Sequence, residues 1–358
     1  MSQSNPLVSV VMVTSNRYTF AKEAIDSILA QTMSDFEFII INNNSSDNTE
    51  ELILSYAKAD SRICYHKSAK RMPAAKAYNL GISMAKAKYV MIQHDDDIAY
   101  PERMRLQYEH MLADPNMGVC GGYRLCFGAH KGLFKVPPER YLREALLSFN
   151  PYPDAIAMYN KELMDAHNIH YNEGWVSGYD HKLFCGIAAV AQIGVVEQPI
   201  LHYRFHPQQI SETSRIDYSE KEGDRTHLEY FNTLGLALSA DEEELLLHWV
   251  LDVQRYKRNE QVTPELYARV AALIEKILQY NATRQHWNQD NLKLVLSHLW
   301  RKGCFRYKSY CRDLFTTAES YQIYRYSIPS LDDILEGRLK FYLFKIRRLL
   351  KIEGLDLS

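Results

Sequence analysis

The chain has 358 residues, of which 46% are hydrophobic and 24% are charged, with a formal net charge of -2 at pH 7. This composition excludes an intrinsically disordered chain, and the length allows one large catalytic domain plus a smaller appendage. The charge excludes a globally basic nucleic-acid binder, so we expect no nucleic-acid partner. No signal peptide is expected, because the amino terminus lacks a charged lead and a small-residue cleavage site. No membrane span is expected either, since no stretch reaches roughly 18 uninterrupted apolar residues.

The six cysteines form no CxxC pair and follow no regular spacing. Such a pattern is typical of free thiols in a reducing compartment. We therefore expect a cytoplasmic protein.

The first hundred residues alternate between short apolar runs and amphipathic helical patterns. Strands are predicted at 7–13, 36–41, 62–66 and 89–93, with helices at 20–29, from about 49, and at 73–87. Four such alternations predict a parallel sheet wound by right-handed crossovers and flanked by helices. Polar loops follow the strands at 14–17, 42–48, 67–72 and 94–97. We expect these loops to meet at one edge of the sheet, where open α/β sheets bind ligands.

The fourth predicted strand ends in three consecutive carboxylates, Asp95, Asp96 and Asp97. Like charges side by side repel, and their commonest use is to hold a hard divalent cation through oxygen ligands. Helix capping explains them poorly, because Pro101 is predicted to open the next helix, over 101–114, and leaves the acids outside it. A solvated acidic turn is the remaining alternative.

The pattern loosens after residue 114. Strands are predicted at 118–126, 154–159 and 192–205, helices at 161–167 and 178–189, and a loop or hairpin at 128–138. From about 217 the chain reads as helix throughout, with Pro264 and Pro329 as boundaries. We therefore predict an α/β domain over 1–215 and an all-α region over 216–358.

Residues 339–351 form a basic amphipathic pattern, with apolar side chains on one helical face and Lys340, Arg347 and Lys351 opposite. Such a helix can lie on an anionic bilayer, on its own domain or on a second subunit. Peripheral contact with the inner face of the cell membrane through 338–352 and homo-oligomer formation therefore both stay open.

Five segments, in the correct order and spacing, closely resemble family 2 glycosyltransferases with the GT-A fold. They are residues 8–17, 24–32, 42–49 and 79–82 and the acidic cluster with its trailing proline. The resemblance covers about residues 6–210. It implies a Rossmann-like, mostly parallel central sheet, with a donor half over about 1–100 and an acceptor half over about 101–215.

The resemblance also implies an activity. Family members transfer a sugar from a nucleotide-diphosphate donor to an acceptor hydroxyl, with inversion at the anomeric carbon and with Mn²⁺ or Mg²⁺. For this chain it suggests UDP or dTDP as the nucleotide and a glycan or lipid-linked oligosaccharide as the acceptor. Assembly of a bacterial surface polysaccharide, such as O-antigen, capsule or lipopolysaccharide, would suit the basic helix at the carboxyl end.

Several residues take donor-side roles by resemblance. Asp96 corresponds to the metal ligand and Asp95 lies nearer the donor ribose, although His94 stands where the family often has an acid, which leaves open which carboxylate is the main ligand. His206 matches the histidine that reaches the metal or diphosphate. The further donor-binding candidates are Thr14, Asn16, Arg17, Asn43 and Lys76.

Two of these candidates have particular chemistry. Asn43 aligns with a family aspartate that accepts a hydrogen bond from the pyrimidine ring, and an amide oxygen can accept the same bond. Lys76 would favour the negative charge of the donor, but an exposed helix lysine is an equally good interpretation.

Asp180 matches the family segment that carries the catalytic base. An inverting displacement needs one carboxylate near the acceptor hydroxyl, to take its proton during the attack. The alternative for Asp180 is an ordinary acid in the first turn of a helix, stabilised by the macrodipole.

Two other functions are weighed against glycosyl transfer. A sugar nucleotidyltransferase would need a glycine-rich, basic phosphate loop after the first strand, and residues 14–17 contain no glycine. A catalytically silent scaffold with this fold would use the helical region for dimer or partner contacts and would not bind nucleotide with a metal.

Overall fold

The computed structural model describes residues 5–147, 149–175, 178–207, 209, 221–250 and 264–296. The first half of the fold follows the predicted alternation. Its strands are β1 (Val8–Thr14), β2 (Phe36–Asn42), β3 (Ile63–Lys67) and β4 (Tyr89–His94). Its helices are α1 (Tyr18–Leu29), α2 (Thr49–Ala59) and α3 (Ala74–Met84).

These four strands lie in the order β3-β2-β1-β4, and every neighbouring pair is parallel. The prediction of a parallel, helix-flanked sheet is confirmed. The strands are continuous apolar runs because both faces are covered, and β2 is buried along its whole length. Parallel pairing brings the carboxyl ends of β1, β2 and β4 to one edge, as the sequence predicts.

The second half extends the same sheet with mixed pairing. It contains β5 (Ile98–Ala99), α4 (Arg103–Ala113), β6 (Met117–Gly128), β7 (Gly132–Phe134), α5 (Leu142–Ala145), β8 (Met158–Asn160), α6 (Lys161–Ala166), α7 (Tyr179–Val190) and β9 (Gln192–Phe205). The strand order continues β4-β8-β6-β9-β5, with β7 paired to β6. Strand β8 is antiparallel to both neighbours, whereas β6 and β9 are parallel. The carboxyl end of β9 therefore returns to the edge where β4 ends.

Three local predictions are wrong. Residues 154–156 form a 3₁₀ turn, so only the last part of the predicted 154–159 strand is extended. The two-residue strand β5 lies directly after the acids, where no strand was predicted. Helix α4 begins at Arg103, so Pro101 lies before the helix and does not open it.

Helices follow the sheet: α8 (Lys221–Thr233), α9 (Ala240–Leu245) with a π-helical turn Leu246–Val250, α10 (Pro264–Arg284) and a helical stretch over 289–296. They pack on the second half of the sheet domain, where Asn288 donates its backbone N–H to Glu144 Oε1 at 3.0 Å. Within the described ranges no helix has an apolar stretch of the length that a bilayer requires. The predicted boundary near 215, Pro329 and the basic segment 339–351 fall outside the described residues.

Candidate active site

The turn that carries Asp95, Asp96 and Asp97 is shaped by a buried side chain beneath it. Gln93 is fully buried, and its Nε2 donates to the backbone oxygens of His94 and Asp97, each at 2.8 Å. Its Oε1 accepts from the equally buried guanidinium of Arg103 at 3.1 Å. Because Gln93 binds both ends of the tight turn, it fixes the backbone of the turn and so the positions from which the acids project.

Strand β9 binds the same turn through Arg204. The backbone N–H of Arg204 donates to Asp97 Oδ1 at 2.8 Å, and its Nε donates to the backbone oxygen of Asp96 at 2.9 Å. The guanidinium also pairs with Glu23 of α1 and lies over the rings of Phe20 and Phe127. The end of β9 is thereby tied to the acidic turn.

His94 leads into the turn and pairs with an acid that the sequence did not reveal. Its Nε2 lies 3.0 Å from Oδ1 of the buried Asp154, whose other oxygen accepts from the Tyr171 hydroxyl at 3.2 Å. Burial lowers the pKa of His94, but the carboxylate of Asp154 outweighs it and the pKa rises to about 10. This pair favours the protonated imidazole, so a His94 nitrogen can bind a metal only after it releases its proton.

The acids repel one another at close range. Burial and the neighbouring Asp96 raise the pKa of Asp95 to about 7, although the Thr14 hydroxyl and Arg17 act in the opposite direction. Burial and Asp96 also raise the pKa of Asp97. Asp97 is fully buried, and its Oδ2 has no hydrogen-bond partner among the described residues. Crowded carboxylates of this kind gain stability when a cation sits between them.

A divalent ion fits this group of side chains. One ligand atom each from His94, Asp96 and Asp97 lie within 4.8 Å of one another. Carboxylate oxygens with one imidazole nitrogen suit Mn²⁺, and the carboxylates alone suit Mg²⁺. The predicted ligand Asp96 belongs to this group, and His94 and Asp97 join it.

His206 contacts the group through Asp96. Its Nε2 lies 2.9 Å from Asp96 Oδ2, and its ring packs on Phe20 with the centroids 4.8 Å apart. The sequence placed this histidine at the metal or the diphosphate. The structure brings it to the predicted metal ligand, while its own role stays a prediction.

Asp180 lies in the first turn of α7, after Gly178, whose φ of 65° starts the helix from the left-handed region. Its Oδ2 accepts from Asn150 Nδ2 at 2.9 Å, and its Oδ1 accepts from the backbone N–H of His181 at 2.8 Å. Burial and the charge of Asp154 raise the pKa of Asp180 to about 7, while His94 acts to lower it. Asp154 and His94 therefore connect Asp180 electrostatically to the acidic turn.

Three predicted donor-side residues lie at the end of β1 or shortly after it. Thr14 is buried beside Asp95. Asn16 adopts φ 56°, and its Oδ1 accepts from the backbone N–H of Ser46 at 2.7 Å, which joins the loops after β1 and β2. The backbone N–H of Arg17 donates to Thr49 Oγ1 at 3.1 Å, and its charge reaches Asp95. Asn16 thus organises the loops, while Thr14 and Arg17 act on the acid.

The other two donor-side residues already have protein partners. The Asn43 amide binds both backbone groups of Met72: its Nδ2 donates to the carbonyl at 2.9 Å and its Oδ1 accepts from the N–H at 2.8 Å. Lys76 is exposed, and its Nζ lies 3.7 Å from Glu173. Their contacts with a nucleotide stay predictions.

Asn79 joins the two halves of the domain. Its Nδ2 donates to the backbone oxygen of Tyr171 at 2.9 Å, and its Oδ1 accepts from the N–H of the same residue at 3.0 Å. Helix α3 is thereby attached to the segment that leads towards Asp180.

Sequence reasoning missed Asp154, Gln93 and Arg204 as contributors to the site. Asp154 begins the predicted strand over 154–159, and Gln93 ends the predicted buried strand over 89–93. A polar residue in a predicted strand gives no local indication of a role in the site. Arg204 is the second-last residue of β9 and lies two residues before His206, and this position near the end of a strand is the only sequence signal that points to it.

A parallel sheet whose carboxyl edge carries a clamped acidic turn, faced by the end of a later strand, is the architecture of GT-A glycosyltransferases. Two solved structures share the fold. S. aureus TarS 1-349 in complex with UDP-GlcNAc aligns with a TM-score of 0.56 and 14% identity, over 83% of this chain and 92% of that chain. The mannosyltransferase PcManGT from Pyrobaculum calidifontis, in complex with GDP-Man and Mn²⁺, aligns with a TM-score of 0.51 and 17% identity, over 90% of this chain and 86% of that chain.

The sequence comparisons narrow the class to one family. Residues 9–184 match the profile of Glycosyl transferase family 2, so the chain contains a glycosyltransferase domain of that family. An uncharacterised glycosyltransferase of Methanocaldococcus jannaschii is 28% identical over 219 residues, which is 59% of this chain and 74% of the relative. The chain spans less of some other relatives: one from Rickettsia prowazekii is 35% identical over 40% of this chain and 44% of its own length.

Proposed function

We propose that the chain is a metal-dependent inverting glycosyltransferase, which moves a sugar from a nucleotide-diphosphate donor to a hydroxyl of a glycan or lipid-linked acceptor. One observation carries the proposal. Asp154 faces His94 at 3.0 Å, and its charge also acts on Asp180. These two interactions support the proposal that the acidic turn and the base share one region at the carboxyl edge of the sheet, as a displacement with two charged centres requires.

Asp96, with His94 and Asp97, is proposed to hold Mn²⁺ or Mg²⁺. Such an ion, when bound, offsets the negative charge that develops on the departing diphosphate. His206 keeps Asp96 oriented through its hydrogen bond, and Thr14 and Arg17 favour the charged form of Asp95. Asp95 is then available to the donor ribose.

Asp180 is proposed as the base. Its carboxylate takes the proton of the acceptor hydroxyl while the oxygen attacks the anomeric carbon from the face opposite the leaving group. A group whose pKa is about 7 is well matched to accepting a proton at neutral pH. Since the displacement takes place in one step, no covalent intermediate with the enzyme forms.

The donor nucleotide is proposed to be UDP or dTDP. The related folds were solved with UDP-GlcNAc in one protein and GDP-Man in another, which supports a nucleotide-sugar donor in general. The Asn43 amide already forms two hydrogen bonds with the backbone of Met72. We therefore assign it to holding the loop next to the nucleobase, and only its second N–H and one oxygen lone pair are left to bind the nucleotide.

We place the reaction in the cytoplasm, in assembly of a bacterial surface polysaccharide. Among the described cysteines, Cys64, Cys120, Cys126 and Cys185 are all free thiols, which supports a reducing compartment. Peripheral membrane contact through 338–352 and self-association through the helical region remain part of this proposal.

Isothermal titration of the full chain with UDP, with and without Mn²⁺, tests the function. We expect UDP to bind much more tightly with Mn²⁺, and Asp96→Asn to lose most of this metal-dependent gain, because it removes a proposed ligand. Asp165→Asn is the matched control, since Asp165 is an exposed acid whose ion pair with Lys161 lies on α6.

Two outcomes would contradict the proposal. Absence of any metal-linked binding across UDP, dTDP and GDP would favour a catalytically silent protein. If Asp96→Asn keeps the metal-dependent gain in UDP affinity, Asp96 is not a metal ligand and the ion binds elsewhere.

A further inference from the structure

A short hairpin projects from the sheet beside the site. Strand β7 pairs antiparallel with β6, and residues 128–135, the basic hairpin, are all exposed. Leu133 and Phe134 are 45% and 44% exposed, which is uncommon for large apolar side chains next to each other. Successive strand residues point to opposite faces, so both faces of the ribbon carry apolar surface.

The charge of the basic hairpin has one sign. It contains His130, Lys131 and Lys135, and no acidic residue occurs from 127 to 138. The guanidinium of Arg124 on β6 lies 5.1 Å from the centre of the Phe134 ring and adds a further positive charge beside the apolar pair. Apolar side chains flanked by lysines match the boundary between anionic headgroups and acyl chains.

The basic hairpin lies next to the acidic turn. The backbone N–H of Ala129 donates to the oxygen of Phe205 at 3.0 Å, and the His130 ring packs on the Phe205 ring with the centroids 5.0 Å apart. Phe205 directly precedes His206, which bonds to Asp96. A surface that contacts the hairpin therefore borders the site.

We propose that the basic hairpin docks on an anionic phospholipid bilayer, with Leu133 and Phe134 entering the interface and Lys131 and Lys135 contacting the headgroups. Docking at this position brings the catalytic edge of the sheet to the membrane. The proposal rests on the lipid-linked acceptor of the proposed function, because such an acceptor presents its hydroxyl at the bilayer surface. It adds a second contact to the one predicted for 338–352.

Cosedimentation of the full chain with phosphatidylcholine vesicles, with and without phosphatidylglycerol, tests the docking. We expect the wild type to prefer the anionic vesicles and Leu133→Ser/Phe134→Ser to bind them about tenfold more weakly, since the apolar pair no longer enters the interface. Lys131→Gln/Lys135→Gln should weaken binding by about tenfold or more, because each lysine contributes near an anionic surface. The matched control Leu54→Ser/Leu112→Ser, at positions 46% and 53% exposed on α2 and α4, should bind like the wild type.

A local readout separates the basic hairpin from the carboxyl-terminal segment. In Leu133→Trp the added fluorescence should be quenched by brominated phosphatidylcholine in anionic vesicles, beyond the quenching of the parent chain. Equal binding by the hairpin variants and the control, no preference for anionic vesicles, or no added quenching would each overturn the proposal. Titration of the same variants with UDP and Mn²⁺ should match the wild type, so a failed docking experiment leaves the catalytic proposal standing.

Discussion

The acidic turn after β4 and the start of α7 carry the two proposed reactive centres, but they are held in different ways. The turn is fixed through its backbone, by Gln93 from below and by Arg204 from β9. Asp180 is held by two hydrogen bonds to its own carboxylate, from Asn150 and from the N–H of His181. The backbone conformation of the turn therefore determines where the acids lie. For Asp180 the important property is its pKa, which burial and the charge of Asp154 raise.

The largest expected effect separates the two centres directly. Asp180→Asn removes the proposed base without touching the acidic turn, so we expect transfer to fall by about 10²- to 10⁴-fold. Binding of UDP with Mn²⁺ should stay nearly unchanged. Steady-state transfer with a nucleotide sugar and titration with UDP measure the two quantities, and normal turnover by this variant would remove Asp180 from its role.

A smaller effect tests whether metal affinity depends on the backbone conformation of the acidic turn. Gln93→Met has a similar size but cannot bind the two carbonyls, so we expect metal affinity in the presence of UDP to fall by about 10- to 100-fold, as for other residues that orient metal ligands. Manganese titration followed by electron paramagnetic resonance measures the affinity.

Gln31 provides a matched control for this variant. It is buried too, its Nε2 donates to the oxygens of Ser27 and Tyr100, and its Oε1 accepts from the N–H of Met104. Gln31→Met should lose comparable thermal stability while metal affinity stays near that of the wild type. Equal losses of metal affinity in both variants would mean that Gln93 acts only through general stability.

The smallest effect tests whether Asp180 is tuned by charge. Activity should rise with pH through about 7, as the base loses its proton. Asp154→Asn removes a negative charge that raises the pKa of Asp180, and the opposing influence of His94 is weaker, so the acidic limb of the pH profile should move to lower pH. The pH dependence of kcat/KM measures this shift, and an unmoved limb would show that Asp154 does not tune the base.

The parts of the fold that sequence predicts well are those with local signals. The strands β1, β2 and β4 are apolar runs that end at polar loops, and the acids lie close after β4. The apolar runs therefore locate the sheet, and the polar residues that end them locate its edge. Thr14, Asn16 and the acids could be placed at that edge because parallel strands end together.

The rest of the site depends on contacts between distant residues. Asp154 follows a proline in a 3₁₀ turn, and its importance comes from His94, 60 positions away in the chain, which no local pattern indicates. Gln93 reads as an ordinary position in a buried strand, since its hydrogen bonds to the turn appear only when the chain folds back. Strand β5, with two residues, is too short for periodicity to detect.

The paired hydrogen bonds between Asn79 and Tyr171 bear on how the two halves of the sheet domain can move. Both must break before α3 can separate from the segment leading to α7, so the two halves are coupled at this point. We therefore expect rearrangement on substrate binding to take place in the surrounding loops.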